Sequence, residues 1–104
     1  MFVASFSYDV AWGKKAQVLA IVDKYRDIAA EMGFPKGRVL VGSLGVAESR
    51  IVEEYRFESL AALENAWAAM DDPRIAGCVE EMAPYVVPGS HKWEVYRIKR
   101  EEGI

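Results

Sequence analysis

The chain has 104 residues, and 13 Lys or Arg residues against 16 Asp or Glu residues give a formal net charge of −3 at pH 7. This length is typical of one domain, and the acidic balance excludes a protein that binds nucleic acid mainly by neutralising phosphates. Hydrophobic residues make up 52% of the chain, which excludes a disordered chain and suggests more buried surface than one small core provides. We expect a single domain over residues 1–104, with residues 100–104 as a frayed tail.

The cysteine count and the apolar runs predict a cytoplasmic protein that does not enter a membrane. Cys78 is the only cysteine, so no intrachain disulfide can form, whereas small secreted domains usually depend on several. The N-terminal segment lacks a basic region followed by a long apolar run, and Asp9 interrupts it, which argues against a signal peptide. The sequence has no run of about 18 uncharged apolar residues, the length that a membrane-spanning helix needs.

The first half of the chain predicts a strand, a long helix and a second strand. Side chains alternate between two faces over Phe2–Tyr8, which is the period of a strand. Apolar residues recur at three- and four-residue spacing over Trp12–Met32, which predicts an amphipathic helix that Gly33 and Pro35 end. The Val- and Leu-rich segment Arg38–Val46 predicts the second strand, which two glycines weaken.

The second half predicts a hairpin, two helical segments and a last strand. A short polar turn at residues 47–49 leads into a strand over Ile51–Phe57. Ser59 is placed to cap a helix whose apolar residues recur at helical spacing, namely Leu60, Leu63, Trp67 and Met70. The Asp-Pro pair at residues 72–73 ends this helix and starts a second, shorter one, with Asp72 as its N-cap and Pro73 at its first position. Lys92–Lys99 alternates as a strand.

This order of elements, βαββαβ, predicts an α+β fold. Right-handed crossovers then give the ferredoxin-like arrangement, in which an antiparallel sheet of strand order 4-1-3-2 carries its helices on one face. The opposite face of the sheet is left open.

The open face is expected to be covered by a second copy of the chain. A sheet face in contact with water usually carries polar residues. Here apolar residues fall on both sides of the predicted strands, since Leu40 opposes Val39 and Val41, and Val52 opposes Ile51. A partner related by a two-fold axis is the simplest cover, so we expect a homodimer packed through its open sheet faces, which is a dimeric α/β barrel.

The segment Val52–Pro73, VEEYRFESLAALENAWAAMDDP, combines an aromatic strand end, a Ser-Leu helix start and an Asp-Pro break. With the layout of residues 2–99, it resembles the dimeric α/β-barrel superfamily, and within it NIPSNAP-like and antibiotic-biosynthesis-monooxygenase-like proteins. The resemblance implies cofactor-independent oxygenation of aromatic compounds, isomerisation of small molecules, or a function not yet known. Haem-degrading members use a histidine in the second helical region. Residues 59–83 contain none, which argues against haem degradation.

Five residues are candidate ligand contacts: Tyr8, Trp12, Tyr55, Trp67 and His91. Antiparallel pairing of the first and last strands would bring Tyr8 and His91 to one sheet edge, with Trp12 above it. His91 is the only histidine and the candidate catalytic residue, as a general base near neutral pH. The alternative is a half-exposed loop histidine with no chemical role.

Trp67 lies about 12 Å along its helix from Ser59, which predicts a place over the centre of the sheet. There it forms either a cavity wall or ordinary core.

Glu53 and Glu54 are adjacent in a strand and point to opposite faces, so they do not form an acid–base pair. A single histidine and a single cysteine do not predict a metal site, and the glycines form no phosphate-binding motif, so no cofactor is expected.

The sequence and the resemblance together predict a homodimer that binds a small apolar or aromatic metabolite. As an enzyme it would be a cofactor-independent monooxygenase or an isomerase. The alternative is a non-catalytic homodimer with a ligand-binding or regulatory role. Neither a nucleic acid nor a membrane is expected as a partner.

Overall fold

A four-stranded antiparallel sheet with helices on one face forms the fold. The structure is a computed structural model that describes residues 1–103. Its strands run in the order β2-β3-β1-β4, where the strands are β1 (Phe2–Asp9), β2 (Arg38–Val41), β3 (Arg50–Phe57) and β4 (Lys92–Arg97). Its helices are α1 (Lys15–Glu31), α2 (Leu60–Ala69) and α3 (Pro73–Met82), and a 3₁₀ turn over Ala83–Tyr85 follows α3. The predicted ferredoxin-like fold and strand order are confirmed.

The strand register decides which side chains reach the helices. In β1, Ala4 and Tyr8 are buried beneath the helices, whereas Ser5 and Ser7 are half-buried on the open face. Ser5 lies opposite Glu54 of β3 on one side and opposite Glu94 of β4 on the other. The open face therefore carries small and charged residues at its centre. None of the helices in the described part of the chain is both long and apolar enough to cross a membrane.

The core lies between the sheet and the helices in two clusters. One surrounds Tyr55, Phe57 and Phe34 and includes residues of all three helices, namely Ala29, Leu63 and Ile75. The other joins Tyr8, Val10 and Ile51 to Val18 and Val22 of α1. The two clusters are built on the same face of β3, and Glu53 stands between Ile51 and Tyr55 on that face.

The caps predicted for α2 and α3 are confirmed. The Ser59 hydroxyl accepts a hydrogen bond of 3.1 Å from the Ala62 amide, and the Asp72 carboxylate accepts one of 2.8 Å from the Arg74 amide. Each satisfies one of the amides that a helix leaves unpaired at its first turn. Helix α1 begins at Lys15 rather than at Trp12, because Gly13 has a φ of 76° and breaks the helical path.

Strand β2 is shorter than predicted, and a loop over residues 42–49 replaces the expected turn at 47–49. The Gly42 amide donates to the Arg50 carbonyl at 2.9 Å, and there the ladder ends. A Cβ on Gly42 would lie 1.7 Å from the carbonyl oxygen of Ala47, so the loop folds back on itself at a position that only glycine fits. Leu44, predicted in the strand, lies exposed in this loop.

The open face of the sheet is a mixture of apolar side chains and ion pairs. Val52 is half-buried, and Leu40 and Tyr96 are exposed. Arg38 is 2.7 Å from Glu54, and Arg56 pairs with Glu101. Residues 98–103 have no regular secondary structure, and Ile104, the last residue of the expected frayed tail, lies outside the described residues.

Candidate functional site

A cavity of about 430 Å³ lies between the sheet and the helices. We call it the Glu53 cavity, after the one carboxylate among its lining residues. Its walls are otherwise mostly apolar or aromatic: Phe6, Tyr25, Phe34, Trp67, Met70, Ile75, Cys78, Val79, Met82 and Trp93. A cavity of this size and character is typical of sites for small molecules.

Glu53 is the buried polar group of this cavity. Alternation along β3 turns it towards the helices between Ile51 and Tyr55, and the residue is only 2% exposed. The Tyr55 hydroxyl donates a short hydrogen bond to Oε1 of Glu53. Since a carboxyl in an apolar setting is costly without partners, this hydrogen bond helps to hold it there.

Burial raises the pKa of the Glu53 carboxyl above its ordinary value of 4.5. The hydroxyls of Tyr55 and Tyr8 and the positive charge of Arg26 oppose this rise, in that order. Burial, reinforced by the charge of Glu53, also raises the pKa of the phenols of Tyr8, Tyr25 and Tyr55. These phenols therefore stay protonated and can act as hydrogen-bond donors beside the carboxyl.

The Tyr8 hydroxyl is a buried group whose bonding is incomplete. It lies near enough to Glu53 to influence the pKa of the carboxyl, yet no atom of the described residues meets it with the geometry of a hydrogen bond. The Tyr8 hydroxyl therefore does not form a hydrogen bond with Glu53, because hydrogen bonds weaken steeply outside that geometry. Glu53 thus has one donor in place and a second close by.

Two tryptophans form the aromatic wall of the cavity. Trp67 of α2 and Trp93 of β4 meet edge to face with ring centroids 5.5 Å apart, and Phe6 stacks on Trp93 at 4.7 Å. Trp67 is 42% exposed, so it is a wall of the cavity and not core. It also lies over the edge strand β4, whereas the sequence placed it over the centre of the sheet.

A second cavity, of about 400 Å³, adjoins the first and contains two of the predicted residues. Tyr8 and His91 line it, since Ser7 pairs with Lys92 and so brings the next residue of β1 beside His91. Phe6, Val79 and Met82 line both cavities and form the partition between them. His91 itself is exposed and does not line the Glu53 cavity.

Trp12 stands apart from the other four predicted contacts. It is 99% exposed and borders a different surface depression, beside the loop at residues 47–49. The expected arrangement of Trp12 above Tyr8 and His91 is therefore not what the structure has, because Trp12 lies in an exposed turn and α1 begins only at Lys15. Tyr55, by contrast, is buried behind the Glu53 cavity and acts on it through Glu53.

Sequence reasoning missed Glu53 and Trp93 as members of the site. The signal for Glu53 was present, because the alternation that turns Ile51 and Tyr55 inward turns Glu53 inward as well. The same alternation along β4 turns Trp93 towards the helices.

Within residues 1–103, no group of three or more His, Cys, Asp or Glu side chains is placed to hold a metal ion. The arrangement suits proton exchange with an apolar ligand.

The molecule is thus a ferredoxin-like α+β domain with a ligand-sized apolar cavity over its sheet. No protein-family profile matches the sequence, and no curated protein is significantly similar to it. Solved structures share the fold. One is a NIPSNAP family protein of unknown function from Agrobacterium tumefaciens, with 18% identity over 98% of this chain and 91% of that chain and a TM-score of 0.76.

Two further structures belong to the other predicted branch. A putative antibiotic biosynthesis monooxygenase from Nitrosomonas europaea is 12% identical over 96% of this chain and 100% of its own, with a TM-score of 0.74. SnoaB, a cofactor-independent oxygenase from Streptomyces nogalater, is 12% identical over 96% of this chain and 95% of its own, with a TM-score of 0.71. The predicted resemblance to NIPSNAP-like and monooxygenase-like proteins is confirmed, and at these identities it establishes the fold.

Proposed function

We propose that this chain binds a small apolar or aromatic metabolite in the Glu53 cavity, as one subunit of a homodimer, and acts on it without a cofactor. The observation that carries this proposal is the cavity itself, about 430 Å³ of mostly apolar space with one buried carboxyl at its wall. Such a site binds by burying apolar surface and orients its ligand through a few polar groups.

The aromatic wall supports a flat ligand. Phe6, Trp93 and Trp67 form a run of packed rings along one side of the cavity. Rings in offset or edge-to-face contact stabilise one another beyond simple burial. A ligand with an aromatic ring extends this run, whereas a saturated ligand of equal size gains burial alone.

The fold shared with a cofactor-independent oxygenase supports the proposed reaction class. SnoaB is a cofactor-independent oxygenase, and oxygenation or isomerisation without a cofactor both begin with moving a proton on the substrate. Glu53 is a carboxyl suited to that step, because its buried site makes it a stronger base than an exposed carboxylate.

A non-catalytic binding protein is the second candidate. It is favoured by the shortage of reactive groups at the cavity, since among its described lining residues only Glu53, Tyr25 and Cys78 carry ionisable side chains. Those residues include no nucleophile hydrogen-bonded to a base, which is the usual arrangement for covalent catalysis.

Dimerisation through the open sheet face is part of the proposal. Val52 and Leu40 offer apolar surface there, and the charges beside them are already paired, with Arg38 and Glu54 2.7 Å apart and Lys92 and Glu94 3.5 Å apart. Paired charges are less costly to cover than isolated ones. A second sheet packed on this face would make the two-chain barrel that the resemblance implies.

Filling the cavity tests the binding proposal. Val79→Phe places a ring in the partition between the two cavities, and Ala76→Phe adds the same ring at an exposed position of the same helix as a matched control. Binding of 2-methoxynaphthalene is measured by equilibrium dialysis. We expect the wild type and Ala76→Phe to bind it and Val79→Phe to lose about tenfold or more in affinity. Equal binding by all three chains would place the ligand elsewhere and contradict the proposal.

A further inference from the structure

We propose that a row of charges on the open face fixes how a second copy of the chain docks there, with Arg38 of each chain paired to Glu94 of the other. This inference rests on the proposed function, since it assumes that two open faces pack together. It adds the orientation of the two copies and the residues that select it, neither of which follows from apolar cover alone.

The row crosses all four strands at one level of the sheet. Arg38 of β2 is the register partner of Glu54 in β3. Ser5 of β1 lies between Glu54 and Glu94 of β4. Since directly paired residues turn their side chains to the same face, the order across the open face is arginine, glutamate, serine, glutamate. We call these four residues the charge row.

Both ends of the charge row keep atoms for a further hydrogen bond. Arg38 donates to Glu54 through Nε at 2.7 Å, and among the described residues its two terminal nitrogens have no acceptor. Lys92, at 3.5 Å, and the Tyr96 hydroxyl, at 2.9 Å, both contact Oε2 of Glu94, which leaves Oε1. The side chain of Arg38 is 69% exposed and that of Glu94 is 37% exposed, so both are accessible to a second chain.

A two-fold axis along the strands makes the charge row complementary to itself. Such an axis, midway between β1 and β3, places β2 of one chain over β4 of the other and keeps each residue at its level along the strands. Arg38 then faces Glu94 of the second copy at both ends of the row. Glu54 faces Ser5 of the second copy, whose hydroxyl can donate to it. Stacked sheets lie about 10 Å apart, a gap that arginine and glutamate side chains bridge together.

The neighbouring row of the open face fits the same axis. It consists of Leu40, Val52, Ser7 and Lys92 in the same strand order. The axis sets Val52 against the small Ser7 of the other copy. It sets Leu40 against the aliphatic part of Lys92, whose ammonium group reaches water at the edge of the sheet. The apolar side chains of this row are therefore covered while its one charge stays solvated.

An axis across the strands is unfavourable in comparison. If it passes through the charge row, each residue faces its own copy, so Arg38 meets Arg38 and Glu94 meets Glu94, and like charges at an interface repel. If it passes halfway to the neighbouring row, the Glu54 carboxylate faces Val52 and loses water without gaining a partner. The charge row therefore selects the axis along the strands.

This orientation also bears on the proposed binding site. Strand β4 is an edge strand, and it carries Trp93 of the aromatic wall of the Glu53 cavity. Strand β2 of the second copy lies over the open face of β4, and the pairs between Arg38 and Glu94 join the two strands. Dimerisation thus supports the strand that carries the wall.

Reversing the two charges tests the inference. Arg38→Glu and Glu94→Arg each put two like-charged pairs into a homodimer, so we expect each variant alone to be monomeric at a concentration where the wild type is dimeric. An equimolar mixture of the two variants should form a heterodimer, because both of its pairs then have opposite charges. The chain with both changes should again form a homodimer. Native mass spectrometry measures these species, since the heterodimer differs in mass from either homodimer.

Two further sets of variants complete the experiment. Lys24→Glu and Glu64→Arg make the same charge changes at exposed positions of α1 and α2, and both should dimerise as the wild type does. Arg38→Gln and Glu94→Gln are a milder pair for the case that a reversed charge disturbs folding. Each should weaken the dimer about tenfold, because two exposed ion pairs are lost. The chain with both neutral changes should weaken it no further than one change does.

The outcomes separate the inference from the proposed function. A monomeric wild type would overturn the proposed dimer and the inference together. With a dimeric wild type, charge-reversed variants that dimerise equally well would overturn the inference alone. So would a mixture that stays monomeric although circular dichroism shows both variants folded. Where the reversed variants do not fold, neutral changes whose effects on dimer affinity multiply in the doubly changed chain would overturn it, since paired residues do not act independently.

Discussion

Glu53 carries a carboxyl group, which water solvates strongly, and yet the residue is buried. A carboxyl that is 2% exposed weakens a fold when it ionises, because its solvation by water is lost. The chain keeps it in the middle of β3, between two core clusters, and supplies the Tyr55 hydroxyl as a donor. A residue placed at such a cost in a cavity is a candidate for function.

The pKa of Glu53 makes stability depend on pH in a defined direction. A carboxyl whose pKa is higher in the folded than in the unfolded chain binds more protons when folded, so its stabilising contribution is present below the ordinary value of 4.5 and is lost as the pH rises through the folded value. Glu53→Gln stays neutral. We expect the free energy of unfolding of the wild type to fall relative to that of the variant as the pH rises from 4.5.

Urea unfolding of both chains over a series of pH values measures this difference. Glu64→Gln, whose carboxyl is exposed, serves as the control and should follow the wild type. If the free energies of unfolding of Glu53→Gln and the wild type differ by the same amount at every pH, the Glu53 carboxyl is not desolvated, which contradicts the structure.

At the scale of elements, local chemistry made the helices and most strands predictable. Ser59 and Asp72 were recognisable as caps because short polar side chains before an apolar run satisfy free amides. The loop after β2 was not predictable from the sequence, because the close contact between Gly42 and the Ala47 carbonyl is a tertiary contact that no hydrophobic alternation indicates. The same limit applies to the site: alternation turns Glu53 inward, but the space left around it depends on how three helices pack.

Removing the cap of α2 tests the energetics of an element that supports the cavity. Ser59→Ala deletes the oxygen that accepts from the Ala62 amide, and we expect the free energy of unfolding to fall by about 1 kcal/mol. Ser43→Ala changes an exposed loop serine and is the matched control, expected within about 0.5 kcal/mol of the wild type. Thermal or urea unfolding measures both. Equal losses in the two variants would show that the Ser59 hydroxyl does not stabilise α2.

At the scale of the whole molecule, one chain supplies a half-covered sheet. The helices cover one face, and the other carries Val52 and Leu40 among paired charges. The sequence predicted this face because apolar residues fall on both sides of its strands. Trp67 was expected over the sheet as a cavity wall or as core, and the Glu53 cavity lies on that helix side with Trp67 in its lining.

The proposed function requires a dimer in which each chain holds a ligand. Native mass spectrometry measures both properties at once, with 2-methoxynaphthalene added to the purified protein. Val52→Asp places a charge on the open face, and Ala68→Asp, at an exposed position of α2, is its control. An unpaired charge buried in an interface strongly disfavours association, so only the first variant should change the mass of the assembly.

We expect the wild type and Ala68→Asp to have twice the chain mass with one probe molecule per chain, and Val52→Asp to be a monomer that still binds one probe. A wild-type chain that is monomeric at micromolar concentration would contradict the role given to the open face. A dimer that takes up no probe would contradict the binding role of the Glu53 cavity.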